Sequence, residues 1–161
     1  MQNFNELSIP TEILDRLTKL EFNIPTPVQT QAIPVALAGQ DILGSAQTGT
    51  GKTLAFAIPL INHLMMNPKS KAIVITPTRE LALQVIKSIQ EVLSNDLHQS
   101  TVLLIGGDAM HKQLQKLRKR PRLIVGTPGR INDHLDRRTL ELDRADFLVL
   151  DETDRMLDMG F

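Results

Sequence analysis

Short apolar runs alternate with helical patterns along most of the chain, and this alternation constrains the fold more than any other feature. The runs rich in β-branched residues are Ala72–Thr76, Thr101–Ile105, Leu123–Val125 and Phe147–Leu150. The helical patterns that accompany them are Lys52–Met66, Arg79–Leu93, Met110–Lys119 and Arg130–Arg138. Each run is apolar on both faces, as the strands of a buried parallel sheet are. The sequence therefore predicts an α/β fold, with a mainly parallel sheet flanked by helices on both faces.

A glycine-rich segment, Ala46–Thr53, stands directly before the first of these helical patterns. It reads Ala-Gln-Thr-Gly-Thr-Gly-Lys-Thr and follows a short apolar run, Ile42-Leu43. We interpret this order as the strand, loop and helix of a phosphate-binding loop. Gly49 and Gly51 let the backbone turn its N–H groups inward, because glycine adopts positive φ at little cost. Those groups and the positive end of the following helix favour an anion.

Two side chains at the end of this loop extend the prediction to a nucleotide and a metal. We expect Lys52 to reach the β- and γ-phosphates and the Thr53 hydroxyl to bind Mg²⁺. Ala46 departs from the general pattern, which has glycine at its first position. A glycine-rich loop alone is weak support for a function.

Two acids, Asp151-Glu152, end the last apolar run. In nucleotide hydrolases the first such acid holds Mg²⁺, usually through water, and the second polarises the attacking water. Two exposed acids at a strand end are the alternative interpretation. Because a phosphate loop precedes them by about 100 residues, hydrolysis of ATP or GTP is the better one.

Composition narrows the partners that this chain can have. Its 161 residues fit one domain, and its 18 basic and 18 acidic residues give no net charge. Any polyanion must therefore bind to a local patch, and the acid-free run His111–Arg122 is either such a patch or, as we favour, a solvated helix face. No apolar run is long enough for a bilayer. The absence of cysteines fits a reducing compartment, so we expect a cytoplasmic protein without a membrane partner.

The segment Asp151–Phe161 resembles motif II of the DEAD-box RNA helicases, with Thr153 in place of alanine. The loop Ala46–Thr53 matches the motif I of that family, A-x-T-G-x-G-K-T, including the alanine that departs from the general pattern. Four further segments are similar to family motifs in the same order: the Q motif Phe22–Gln29 with Phe4 upstream, motif Ia at Pro77–Ala82, the paired glycines Gly106-Gly107, and motif Ib at Thr127–Arg130.

The resemblance implies an ATP site with Mg²⁺. Gln29 is expected to bind the adenine edge through its amide, which offers a donor and an acceptor, and Phe22 to stack on the ring. The residues implied for nucleotide binding are Phe22, Gln29, Thr48, Gly49, Thr50, Gly51, Lys52 and Thr53. Glu152, Asp151 and Lys52 are implied in catalysis, and Thr53 and Asp151 in metal binding.

The resemblance also implies RNA as a partner. The expected contacts to the RNA backbone are Thr78, Arg79, Gly107, Thr127, Gly129 and Arg130. Contacts to sugar and phosphate carry no base information, so the binding is expected to be independent of RNA sequence. The alternatives are a non-helicase P-loop ATPase, a DNA helicase of the same superfamily, or a non-catalytic binding module.

Three departures from the family pattern carry expectations of their own. Thr153 adds atoms beside the metal-binding acid, and Glu21 stands where the Q motif has glycine, so a positive φ there would strain the turn. The sequence stops ten residues after Asp151. We therefore expect residues 1–161 to be a partial N-terminal RecA-like domain, with a helix and the Q motif in residues 1–30. A second RecA-like domain is the expected partner, and the isolated piece is expected to be nearly inactive.

Overall fold

The computed structural model describes residues 2–161, which divide into two compact units at Met66 and Asn67. The first unit contains a 3₁₀ turn and three helices. Their bounds are Phe4–Glu6 for the turn, Thr11–Lys19 for α1, Pro27–Leu37 for α2 and Lys52–Met66 for α3. The helix predicted within residues 1–30 and the helix predicted over Lys52–Met66 are confirmed. The buried face of α1 carries Ile13 and Leu17, one helical turn apart.

The second unit is a four-stranded parallel sheet with helices between its strands. The strands are Lys71–Ile75 (β1), Thr101–Leu104 (β2), Leu123–Gly126 (β3) and Ala145–Leu150 (β4). The helices are Arg79–Val92 (α4), Asn95–Gln99 (α5), Met110–Arg118 (α6), Pro128–Asp136 (α7) and Thr153–Asp158 (α8). All four predicted strands are therefore confirmed, with bounds that differ by one or two residues. Sequence patterns missed the short helices α5 and α8.

The strand order, β2-β3-β1-β4, determines which helices cover which face. The chain steps outward in one direction from β1 to β2, and in the opposite direction from β2 to β3 and from β3 to β4. Because parallel crossovers are right-handed, α4 and α5 lie on one face and α6 and α7 on the other. A cluster of buried side chains from the sheet, α6 and α7 forms the core of the second face: Ile73, Val102, Leu104, Leu117, Ile124, Ile131 and Leu140. The predicted sheet with helices on both faces is confirmed.

Two expectations about strands are wrong. The run Ile42-Leu43 lies in irregular backbone, and Leu43 is fully exposed. A strand needs a neighbour to bond its backbone groups, and among residues 2–161 this run pairs with none. The last strand, β4, is not buried on both faces, since Leu148 is 59% and Leu150 48% exposed. The exposed residues alternate along β4, so they lie on one face of the strand, and that face is left uncovered.

None of the described helices combines the length and the apolar character that spanning a membrane requires.

Candidate phosphate-binding loop and candidate nucleic-acid interface

The glycine-rich loop has the backbone that its sequence predicts. Gly49 has φ +80° and Gly51 φ +85°, a region that other residues adopt only with strain. The Thr50 hydroxyl donates to the Gln47 carbonyl at 2.6 Å, which closes the turn before the helix. Helix α3 begins at Lys52, at the end of the loop. The first N–H groups of a helix have no partner within it, so those of α3 are available next to the loop. Such an arrangement binds anions.

Gln29 ties this loop to the start of α2. Its Nε2 donates to the Gly51 carbonyl at 3.1 Å, and its Oε1 accepts from the Thr26 N–H at 2.9 Å. Gln29 is only 3% exposed. A side chain on Gly51 would collide with this amide, so the loop needs glycine there for space as well as for φ. The contact to adenine implied for Gln29 stays a prediction. Among the described residues, one N–H and one lone pair of this amide make no hydrogen bond.

The two aromatic residues of the Q motif have different surroundings. Phe4 is buried at 3% exposure within the 3₁₀ turn, so it packs in the core of the first unit. Phe22 is 41% exposed, so much of its side chain is accessible to a ligand. The structure therefore separates a packing aromatic from an available one, a distinction that the sequence alone did not make.

The turn before Phe22 confirms the strain expected at Glu21. The Phe22 N–H bonds to the Leu17 carbonyl and the Glu21 N–H to the Thr18 carbonyl, which is the Schellman arrangement that ends α1. Glu21 occupies its left-handed position, with φ +62°. Glycine is the usual residue there because it has no Cβ.

The acids Asp151 and Glu152 follow β4 in the second unit. The Asp151 N–H donates to the Ile75 carbonyl at 2.9 Å, which holds the end of β4 against β1. Glu152 stands at the N-cap position of α8 with a left-handed backbone, φ 50° and ψ 51°, and its side chain makes no capping hydrogen bond. Its carboxylate lies 3.6 Å from Arg155. Strained backbone conformations of this kind are often found at functional sites.

The residues expected to hold Mg²⁺ offer few protein ligands. Among the described residues no three His, Cys, Asp or Glu side chains are grouped as a metal cage. Mg²⁺ usually keeps several waters and binds one or two protein oxygens together with substrate phosphates. The Thr53 hydroxyl and the Asp151 carboxylate fit that donor chemistry. Thr153, next to these acids, is exposed and donates to the Leu150 carbonyl at 3.2 Å, so its extra atoms do not crowd the core.

The loops after β1 and β2 meet through Arg79. Its Nη1 donates to the Gly106 carbonyl at 3.1 Å. Gly107 has φ +86°, and a Cβ there would run into the Arg79 guanidinium. Thr78 caps α4, since its hydroxyl accepts from the Leu81 N–H at 3.3 Å. Three of the residues predicted to contact RNA therefore lie together at the carboxyl edge of the sheet.

The other three residues predicted to contact RNA lie where β3 leads into α7. The Thr127 N–H bonds to the Leu104 carbonyl, and Thr127 stands at the start of α7. Gly129 is exposed, with open space around its Cα. Arg130 turns inward: its Nη1 donates to the Asp108 carbonyl and to Gln113 Oε1, both at 3.1 Å. Its side chain is 15% exposed, and its Nε lies 3.7 Å from Asp133.

Behind this edge lies a polar group that sequence reasoning missed. Gln113 and His134 are 3% and 0% exposed, and His134 Nε2 lies 2.7 Å from Gln113 Oε1. Burial lowers the pKa of His134, and the positive charges of Arg130 and Arg137 lower it further, against the opposing effect of Asp133. Gln113 falls inside the basic run, whose cations are exposed except for Arg122, which is half-buried and bonds to the Ser70 and Asn67 carbonyls. In the sequence Gln113 resembled one more polar residue of a solvated face.

Comparison with known proteins identifies the family. The model for the DEAD/DEAH box helicases matches residues 26–161, most of the chain. This chain belongs to the DEAD/DEAH box helicase family. It is 44% identical over 162 residues to the ATP-dependent RNA helicase CshA of Listeria monocytogenes, covering all of this chain and 31% of CshA. The chain thus spans about a third of this DEAD-box relative.

Solved structures of the family show the same fold. A crystal structure of a DEAD box protein from the hyperthermophile Methanococcus jannaschii matches with a TM-score of 0.91 and 42% identity, over 99% of this chain and 44% of that one. The RNA-helicase Prp28 from Chaetomium thermophilum, crystallised with ADP, matches with a TM-score of 0.90 and 35% identity, over 99% of this chain and 40% of that one. The RecA-like fold predicted from the sequence is confirmed, and DEAD-box membership implies the use of a nucleotide.

Proposed function

We propose that this chain is the ATP-binding and RNA-backbone-binding part of an ATP-dependent RNA helicase, which couples hydrolysis to local RNA unwinding or remodelling of RNA–protein complexes. The observation that carries the proposal is the bond between Gln29 and the Gly51 carbonyl, which joins the Q motif to the phosphate loop. A phosphate loop by itself is common to many nucleotide hydrolases. The bond between the loop and the amide of a Q motif supports a site that is specific for adenine nucleotides.

The nucleotide roles follow from the chemistry of each residue. Phe22 stacks on the adenine ring. Gln29 forms hydrogen bonds to the edge of adenine through the remaining N–H and the remaining lone pair of its amide. Thr48–Thr53 surround the phosphates, with Lys52 on the β- and γ-phosphates. Mg²⁺, held at Thr53 and Asp151, neutralises phosphate charge when it is bound. Glu152 polarises the attacking water.

The RNA roles rest on the edge loops of the second unit. Arg79 has N–H groups beyond the one bonded to Gly106, and the backbone at Gly107 and Gly129 is open to a close phosphate. Thr78 and Thr127 stand at helix starts, where backbone N–H groups favour anions. Arg130 Nη2, which makes no hydrogen bond among the described residues, binds a phosphate oxygen in this proposal. These groups recognise backbone and not bases, which supports sequence-independent RNA binding.

A second RecA-like domain, outside this chain, is part of the proposal. In related hydrolases an arginine from a partner domain raises the rate by roughly 10³–10⁵. We therefore propose that this chain alone binds nucleotide and turns it over slowly. A cytoplasmic location is supported by the absence of cysteines and stays a prediction.

ATP turnover by the full-length protein tests this function. We expect single-stranded RNA to stimulate turnover and DNA of matching sequence to stimulate it far less. Lys52→Ala should weaken ATP binding, whereas Glu152→Gln should keep binding and remove turnover. Equal stimulation by DNA and RNA would favour a DNA helicase, and normal hydrolysis by Glu152→Gln would contradict the role of that carboxylate.

A further inference from the structure

A series of hydrogen bonds with a buried centre and an exposed end at Asp108 joins α6, α7 and the loop after β2. Gln113 stands at its centre. Its Nε2 donates to the Ile105 carbonyl at 2.9 Å, while its Oε1 faces His134 Nε2 at 2.7 Å and Arg130 Nη1 at 3.1 Å. Arg130 continues the series to the Asp108 carbonyl. At the other end, His134 Nδ1 lies 2.8 Å from the Thr139 hydroxyl.

These contacts fix the orientation of each group. A carbonyl can only accept, so the side of the Gln113 amide that faces Ile105 must be its NH₂. Gln113 Oε1 is then an acceptor as well, and His134 must carry its proton on Nε2. Nδ1 of the neutral ring then accepts from the Thr139 hydroxyl at 2.8 Å, and the single hydrogen of that hydroxyl is shared with the His134 carbonyl at 3.1 Å. The contacts to Ile105 and Gln113 thus assign one tautomer of the neutral ring.

The burial of this group needs an explanation beyond stability. A buried amide and imidazole in a network gain little net free energy over well-packed apolar residues, because their hydration is lost. What such a network adds is a defined geometry, since each bond fixes direction as well as distance. The geometry fixed here is that of the Arg130 guanidinium, which binds the backbone of the Gly106–Asp108 loop through the Asp108 carbonyl.

We propose that Gln113 and His134 are positioning residues for RNA binding. They hold Arg130, and through it the Gly106–Asp108 loop, in the arrangement that receives the RNA backbone. Neither residue touches the nucleic acid, since both are buried. This inference rests on the proposed RNA-binding function and extends it from the surface residues to the core beneath them.

The test compares RNA affinities of variants of the full-length protein. Gln113→Met keeps the length of the side chain and removes all three hydrogen bonds. We expect the dissociation constant for single-stranded RNA to rise about tenfold, since 1.4 kcal/mol corresponds to that factor. The slope of log K against log salt should become shallower by ~0.7, the value for one lost phosphate contact on a single strand. Nucleotide affinity should not change.

Two further variants separate positioning from general destabilisation. Leu117→Ala removes a buried side chain from the same helix, α6, without touching the network. Well below its melting temperature it should bind RNA with the wild-type affinity and salt slope. Gln113→Glu keeps an acceptor for Arg130 and His134 but loses the donor to Ile105, so it should melt earlier and still bind RNA within about threefold of wild type. If Gln113→Met does not fold, His134→Phe, which removes the donor to Gln113, carries the same expectation.

A double-mutant cycle identifies the route. If Gln113 acts through Arg130, then Gln113→Met combined with Arg130→Met should bind RNA no more weakly than Arg130→Met alone. Additive losses, or an unchanged salt slope in Gln113→Met, would overturn the inference and leave the proposed function standing. A wild-type protein that does not bind RNA would overturn the proposed function and the inference with it.

Discussion

The phosphate loop of the first unit and the carboxyl edge of the sheet in the second unit differ in how many side-chain hydrogen bonds hold them. One buried amide, that of Gln29, holds the phosphate loop, and the backbone before the loop is irregular, with Leu43 fully exposed. Two arginines and the Gln113 network hold the edge loops through five hydrogen bonds to carbonyls and side chains. The difference indicates that the edge is formed before RNA arrives, whereas the phosphate loop can adjust to its nucleotide.

The largest effect should come from breaking the contact between Gln29 and the phosphate loop. Gly51→Ala imposes a Cβ at φ +85° and pushes it against the Gln29 amide. We expect nucleotide affinity, measured by titration calorimetry, to fall about 100-fold, or ~3 kcal/mol. Gly49→Ala is the matched control, because it carries the same φ strain with no neighbour within 4 Å. Equal losses in both variants would show that the contact with Gln29 is unimportant.

Breaking one support of the edge should cost less, because others remain. In Gly107→Ala the new Cβ displaces the Arg79 guanidinium from the Gly106 carbonyl. RNA affinity should fall about tenfold, or ~1.4 kcal/mol, in a fluorescence-anisotropy titration, with nucleotide affinity unchanged. Gly106→Ala, which has open space for a Cβ and no positive φ, should bind RNA normally. A comparable loss in Gly106→Ala would point to general damage to the loop.

A stabilising change in the first unit sharpens the comparison. Glu21→Gly removes the Cβ strain at φ +62° in the turn that ends α1. The free energy of unfolding should rise by about 1 kcal/mol, as judged by denaturant melts, and Glu21→Asn should gain less. RNA affinity should stay the same. A lower stability in Glu21→Gly would mean that the side chain makes a contact worth more than the strain.

The smallest effect concerns the His134 network and pH. Burial, Arg130 and Arg137 lower the pKa of His134 in the folded chain, while the unfolded chain has the ordinary value of about 6.5. Below about pH 6.5 the unfolded state therefore binds more protons, and the free energy of unfolding falls as the pH drops. His134→Gln should lose this part of the dependence in melts between pH 5 and 8. The exposed His98→Gln should keep it, and identical profiles for both variants would contradict the assignment.

Local pattern was enough to predict much of this fold. Helix α3 was predicted at its observed bounds because a loop and an asparagine-proline turn delimit it, and the strands were found because buried runs differ from their surroundings. The prediction of a strand at Ile42-Leu43 was wrong because a strand forms only when a second strand, distant in sequence, pairs with it. The network of Gln113 and His134 was missed for the same reason, since its members become neighbours only when α6 and α7 pack on one face of the sheet.

Glu152 occupies a backbone conformation that few side chains tolerate, and this limits which inactive variants can trap a bound state. A replacement by glycine or asparagine would relax the left-handed turn and alter the start of α8 together with the chemistry. Glutamine keeps the shape of the side chain and the same backbone demand. A Glu152→Gln protein would therefore report on the missing charge alone, which makes it the appropriate form for capturing nucleotide and RNA together in a crystal.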